Sequence, residues 1–132
     1  MNATLSWLLP LCAIHSLGFA LFHVAFWKLF DWPRSLQSTT VTNRAIIQIL
    51  NLRLIWVLLC ITAALVLLPG EIIGTRLGRS LLAAMSLFWV GRTIEQFIFL
   101  RINDRRVHAL TALFALGAAL FGWAWLAAQG QP

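Results

Sequence analysis

The chain has 132 residues, of which 61% are hydrophobic and 11% charged, with seven tryptophans and no tyrosine. Too little polar surface is available for an ordinary soluble domain, so the composition points to one integral membrane domain covering residues 1–132. Ten lysines and arginines stand against four acidic residues. The basic residues lie in or beside the breaks between apolar runs, which is a topology signal rather than a nucleic-acid-binding patch, and no nucleic-acid partner is expected.

The expected fold is all-α: an antiparallel bundle of four transmembrane helices over about residues 5–30, 44–68, 77–101 and 107–128. Each run is long enough to cross a hydrocarbon core of roughly 30 Å at about 1.5 Å per residue. The first is apolar beyond the length of a signal-peptide core and has no lysine or arginine before it, so it is read as a retained span. Cys12 in this run and Cys60 in the next lie in apolar surroundings without metal-ligand spacing, and neither a disulfide framework nor a metal is expected. Asp31, Trp32 and Pro33 stop the first helix, and Asn43 is expected to cap the second. Pro69 and Gly70 end that helix, and Asn103 with Asp104 supply the turn before the fourth.

Lys28, Arg34, Arg44, Arg101, Arg105 and Arg106 flank the first and third connections, whereas Arg76 and Arg79 belong to the opposite side. The positive-inside rule then puts both termini outside, periplasmic for a bacterial inner membrane. Trp7, Trp123 and Trp125 fall near the outer interface and Trp27 and Trp32 near the inner one, where indoles prefer to lie. Trp56 and Trp89 fall deeper and read as packing or lipid contact. Small-residue pairs suited to close helix approach occur at Gly74 with Gly78, Ala115 with Ala119, and Ala118 with Gly122.

The candidate site is polar and intramembrane. Arg44, Gln48 and Asn51 share one face of the second helix at i, i+4 and i+7. Arg92, Glu95 and Gln96 share one face of the third at i, i+3 and i+4, inside the apolar run 81–100. Counted from the inner ends, Asn51, Arg92 and Glu95 lie roughly 9 to 14 Å into the membrane. His23 reaches the same depth, and His108 sits just inside the fourth helix, so both are possible lining. One carboxylate among several guanidiniums leaves positive charge that an anionic group would satisfy. The bland alternative is a structural network that fixes the register of the bundle. Arg53 points about 160° away from Asn51 and calls for a second surface, a neighbouring helix or another protomer. The histidines lie at different depths, which argues against haem, and no cofactor is expected. Nucleophile, phosphate-loop and dehydrogenase fingerprints are missing.

The segments FWKLFDWP, NRAIIQILNLRL, TRLGRSLL and SLFWVGRTIEQFIFL resemble a group of small bacterial four-span membrane proteins, which implies the architecture and pairs the two polar segments but implies no reaction. A weaker resemblance is to the membrane-associated eicosanoid and glutathione metabolism proteins, whose second helix opens Arg-x-x-x-Asn-x-x-Glu and whose third helix carries an arginine. Here Arg44, Gln48 and Asn51 occupy the pattern, with Arg92 in the third helix, so two of the three second-helix positions differ. That resemblance implies a trimer binding glutathione between protomers. The leading expectation is an inner-membrane protein whose cytoplasmic-half polar cavity binds a small anionic or amphipathic molecule. Its rivals are a glutathione-type membrane transferase and an accessory subunit or assembly factor of a membrane complex. Membrane lipid and either a homo-oligomer or a protein partner are the expected neighbours.

Overall fold

The computed structural model describes residues 3–130, and all regular structure among them is helical. Four long helices carry the fold: α1 (Ala3–Val24), α4 (Val41–Leu67), α6 (Arg76–Phe99) and α7 (Arg105–Gln129). Short helices α2 (Phe26–Leu29), α3 (Trp32–Ser35) and α5 (Pro69–Gly74) and a 3-10 turn at Leu36–Ser38 link them. Three helices, α1, α4 and α7, are long and apolar enough to cross a membrane. α6 has 24 residues but carries Arg76, Arg79, Arg92 and Glu95, and is not among those three.

Several expected boundaries shift. The first helix ends at Val24, and residues 26–29 form the separate α2. Asp31 then turns the chain in the left-handed region at φ 45°, which aspartate tolerates better than most residues. α4 starts earlier than expected because Thr40, not Asn43, is its N-cap: the Thr40 hydroxyl accepts from the Asn43 N–H at 3.2 Å. Pro69 and Gly70 open α5 rather than merely ending the second span. Proline suits a first helical turn, where its missing N–H removes no intrahelical bond. Gly74 and Gly78 therefore lie in different helices, and Gly78 permits contact between α6 and the α5 backbone at Glu71 and Ile72.

The long helices pack as two antiparallel pairs, α1 with α4 and α6 with α7, joined through α1 and α7. Among the long helices α4 packs extensively only on α1 within the described residues, and α4 and α6 are not packed along one another. Leu5, Leu8, Cys12, Leu58, Leu82 and Phe121 are among the fully buried side chains of the core. The opposite faces are apolar too, with Ile14, Leu21, Trp56, Leu87 and Phe97 exposed. An apolar outer face is the pattern of a helix whose surroundings are lipid.

Trp89 holds the junction. It is 2% exposed and meets Phe19 at 4.6 Å, Phe114 at 5.8 Å and His15 edge-on at 4.7 Å, measured between ring centroids. The His15 ring bonds the Leu113 carbonyl across α1 and α7 at 2.9 Å. Gly117 is the gap that admits these rings, since a Cβ there would fall 2.8 Å from His15 Nε2 and 2.9 Å from Trp89 Cγ. On the α6–α7 seam, Ser86 donates to the Ala118 carbonyl at 2.8 Å beside Gly122, so the Ala118 and Gly122 pair lies at a helix contact. Ala115 and Ala119 are exposed instead.

Candidate functional site

The first polar stripe is held by α1 and by the chain just beyond it. Asn51 is 6% exposed and clamps His23 twice: its side-chain oxygen meets His23 Nδ1 at 2.7 Å, and its amide donates to the His23 carbonyl at 3.0 Å. Two bonds to one residue fix both the ring and the backbone of α1 against α4. They also satisfy polar atoms that would otherwise be costly in an apolar layer. One turn nearer the helix start, Gln48 accepts from the Trp27 indole at 3.1 Å and donates to the Arg44 carbonyl at 3.2 Å. Arg44 completes the face, with its Nε buried and without a hydrogen-bond acceptor among the described residues.

The second stripe belongs to α6 and α7. Arg92 and Glu95 form an ion pair at 3.1 Å, with side chains 35% and 50% exposed. The Arg92 guanidinium lies 4.6 Å from the Phe114 ring centroid, a cation–π contact that orients it along α7. Glu95 is the only carboxylate within the four long helices, where Arg44, Arg53, Arg76, Arg79, Arg92, Arg105 and Arg106 also lie.

Because α4 and α6 are not among the extensively packed helix pairs, the residues expected to share one cavity fall into two groups: His23 bonds Asn51 of the first stripe, whereas Arg92 pairs with Glu95 and lies over Phe114 in the second. The two groups, Arg44, Gln48 and Asn51 with His23 on α4 and α1, and Arg92 with Glu95 on α6, make up the polar band. Gln96 departs from it. It is 3% exposed, its side-chain nitrogen is buried without an acceptor, and it lines a separate hollow at the α6–α7 corner together with His108. His108 bonds the Asn103 side chain at 2.9 Å within that corner. Arg53 is exposed on α4, away from Asn51, and has no ion-pair or hydrogen-bond partner among the described residues.

Two structural elements escape the reading of the polar residues. Trp27 becomes a ligand of the stripe through Gln48, and His15 becomes a wedge between helices. A tryptophan at i+4 from His23, and an isolated glycine, Gly117, in an otherwise helical run, are the sequence signals that carry them. No group of three or more histidine, cysteine, aspartate or glutamate residues able to hold a metal occurs among the described residues. Comparison with models of known protein families found no match, and comparisons with curated proteins and with solved structures found none either.

Proposed function

We propose that the protein is a four-span membrane protein of the bacterial inner membrane, with both ends periplasmic, that binds a small anionic amphiphile at the polar band in its cytoplasmic half. Arg44, Gln48, Asn51, Arg92 and Glu95 are the lining, with His23 beside Asn51; Gln96 and His108 belong to the separate α6–α7 corner and not to this site. In this reading α6 crosses as the fourth span because its partner α7 and the Arg92–Glu95 pair lower the cost of its charges. Paired indoles support the two interfacial levels: Trp7 meets Trp123 at 5.0 Å at one end of the bundle, and Trp27 meets Trp32 at 5.0 Å at the other.

One observation carries the binding reading. Arg44 keeps a buried Nε with no acceptor, in a stripe whose other members are fully engaged by hydrogen bonds, and the only carboxylate of the long helices is already paired with Arg92. A buried donor on a cation is satisfied by an anionic oxygen, and carboxylate or phosphate fits its planar fork. The chemistry is recognition: an amphiphile would place its charged end against one of the band's guanidiniums and its apolar part against the lipid-facing helix surfaces. Native mass spectrometry from nanodiscs tests this. A discrete bound mass lost in the Arg92→Leu, Glu95→Leu double variant is the expected result, and a bare protein with only heterogeneous lipid would refute it. Replacing both members of the pair avoids leaving one charge unmatched. A retained glutathione on a trimer would move the reading to the transferase class.

A second reading is favoured by Arg53. An exposed guanidinium without a partner, on a helix that packs against only one long neighbour, suits a contact with another protomer or with a subunit of a larger membrane complex. The two readings are compatible, since the band and Arg53 lie on different sides of α4.

A further inference from the structure

The corner between α6 and α7 holds a hollow of about 290 Å³ with a different character from the band. Its walls include Leu100, Val107 and Thr111, and its polar side is formed by Gln96, Arg101, Asn103 and His108. Three features make it acceptor-seeking. The Gln96 side-chain nitrogen is buried without an acceptor in a residue that is 3% exposed. The Arg101 Nε–H donates to the Phe97 carbonyl at 3.2 Å, which anchors the guanidinium beside the hollow and leaves its terminal nitrogens free to donate. Asn103 uses its oxygen on the His108 ring at 2.9 Å, so its amide nitrogen remains a donor. The neighbouring carboxylate, Asp104, is engaged at 2.7 Å in capping the Arg106 N–H of α7. Around this donor cluster the surface is apolar: Phe97, Phe99 and Ile102 are strongly exposed.

We infer that this corner binds a phosphate group, supplied by an anionic membrane phospholipid whose chains lie along the exposed Phe97, Phe99 and Ile102 face. Donors from Gln96, Arg101 and Asn103 match phosphate oxygens, and basic clefts between spans at a cytoplasmic surface are suited to anionic headgroups. The inference rests on the four-span reading, which places this loop at a membrane surface, and is independent of the polar band. Phosphate in solution offers the same chemistry without the chains.

The test uses the full chain in detergent, titrated separately with short-chain phosphatidylglycerol, short-chain phosphatidylcholine and inorganic phosphate, with bound mass and thermal midpoint as readouts. Phosphatidylglycerol is expected to bind roughly tenfold more tightly than phosphatidylcholine, whose ammonium is repelled by Arg101. Measured in the Arg92→Leu, Glu95→Leu background, which removes the band's own anion binding, Arg101→Gln, at an exposed position, should abolish the preference, Arg101→Lys should restore part of it, and Gln96→Leu should weaken binding of the anionic lipid. The Arg92→Leu, Glu95→Leu variant should leave the preference intact; its loss there would assign the lipid to the band and overturn the corner site. Equal binding of the two lipids, or a preference unchanged by both corner substitutions, would also overturn it. Protection by inorganic phosphate with none from either lipid would overturn the lipid source.

Discussion

Gly117→Ala should unlock the joint between the two helix pairs. The added Cβ would stand 2.8 Å from His15 Nε2 and 2.9 Å from Trp89 Cγ, inside van der Waals contact, and closest of all to His15 Cε1. Neither ring has an easy escape: Trp89 is 2% exposed among Phe19, Phe114 and His15, and His15 is tied to the Leu113 carbonyl. Overpacking of this kind costs about 1–3 kcal/mol. Displacing His15 adds the loss of one hydrogen bond, about 1 kcal/mol. Alanine returns at most about 1 kcal/mol through helix propensity, so the net loss should be about 2 kcal/mol. Gly18→Ala is the matched control, because nothing lies within 4 Å of a Cβ at that position. Thermal unfolding in nanodiscs, followed by circular dichroism, should show Gly117→Ala melting on the order of 10 °C below the parent and Gly18→Ala at or above it. A Gly117→Ala variant as stable as the parent would refute the proposed packing of His15 and Trp89.

Asn51→Leu removes both bonds to His23 and leaves a ring nitrogen unpaired, so a loss of about 1–3 kcal/mol is expected by reversible unfolding in detergent. An unchanged stability would mean that the His23–Asn51 clamp contributes nothing. Arg53→Leu should reduce the oligomeric state or release a co-purifying subunit, read by mass photometry, and an unchanged assembly would remove the case for an interface at α4. A lipid-soluble maleimide should label Cys60, which is exposed, in the folded protein and reach the buried Cys12 only after unfolding. Equal labelling rates would contradict the placement of α1 at the centre of the bundle.

Helical class and the presence of four long helices were legible because apolar runs of this length admit few alternatives, although the first ends at Val24 and not near residue 30. The starts and stops were less so. Thr40 and Asn43 are both good caps three residues apart, and only the hydroxyl geometry separates them. Pro69 reads equally as the end of one helix or the first turn of another, and the structure uses it for the second purpose. Helical spacing correctly gathers Arg44, Gln48 and Asn51 on one side of α4, because that periodicity is local. It carries no information about which helices become neighbours. The packing of α1 on both α4 and α7, seated by Gly117 and Trp89, and the placement of Gln96 at the α7 corner are long-range contacts that local spacing does not encode.

Site-resolved photolabelling with an anionic, photoreactive fatty acid in nanodiscs tests the polar-band proposal most directly. Cross-links mapped by peptide sequencing should concentrate on residues 44–51 and 92–95, compete with unlabelled anionic amphiphile and disappear in the Arg92→Leu, Glu95→Leu variant. Labels spread evenly over the exposed apolar faces of α4 and α7, and unaffected by that substitution, would contradict a binding role for the band and leave its polar residues as structural contacts.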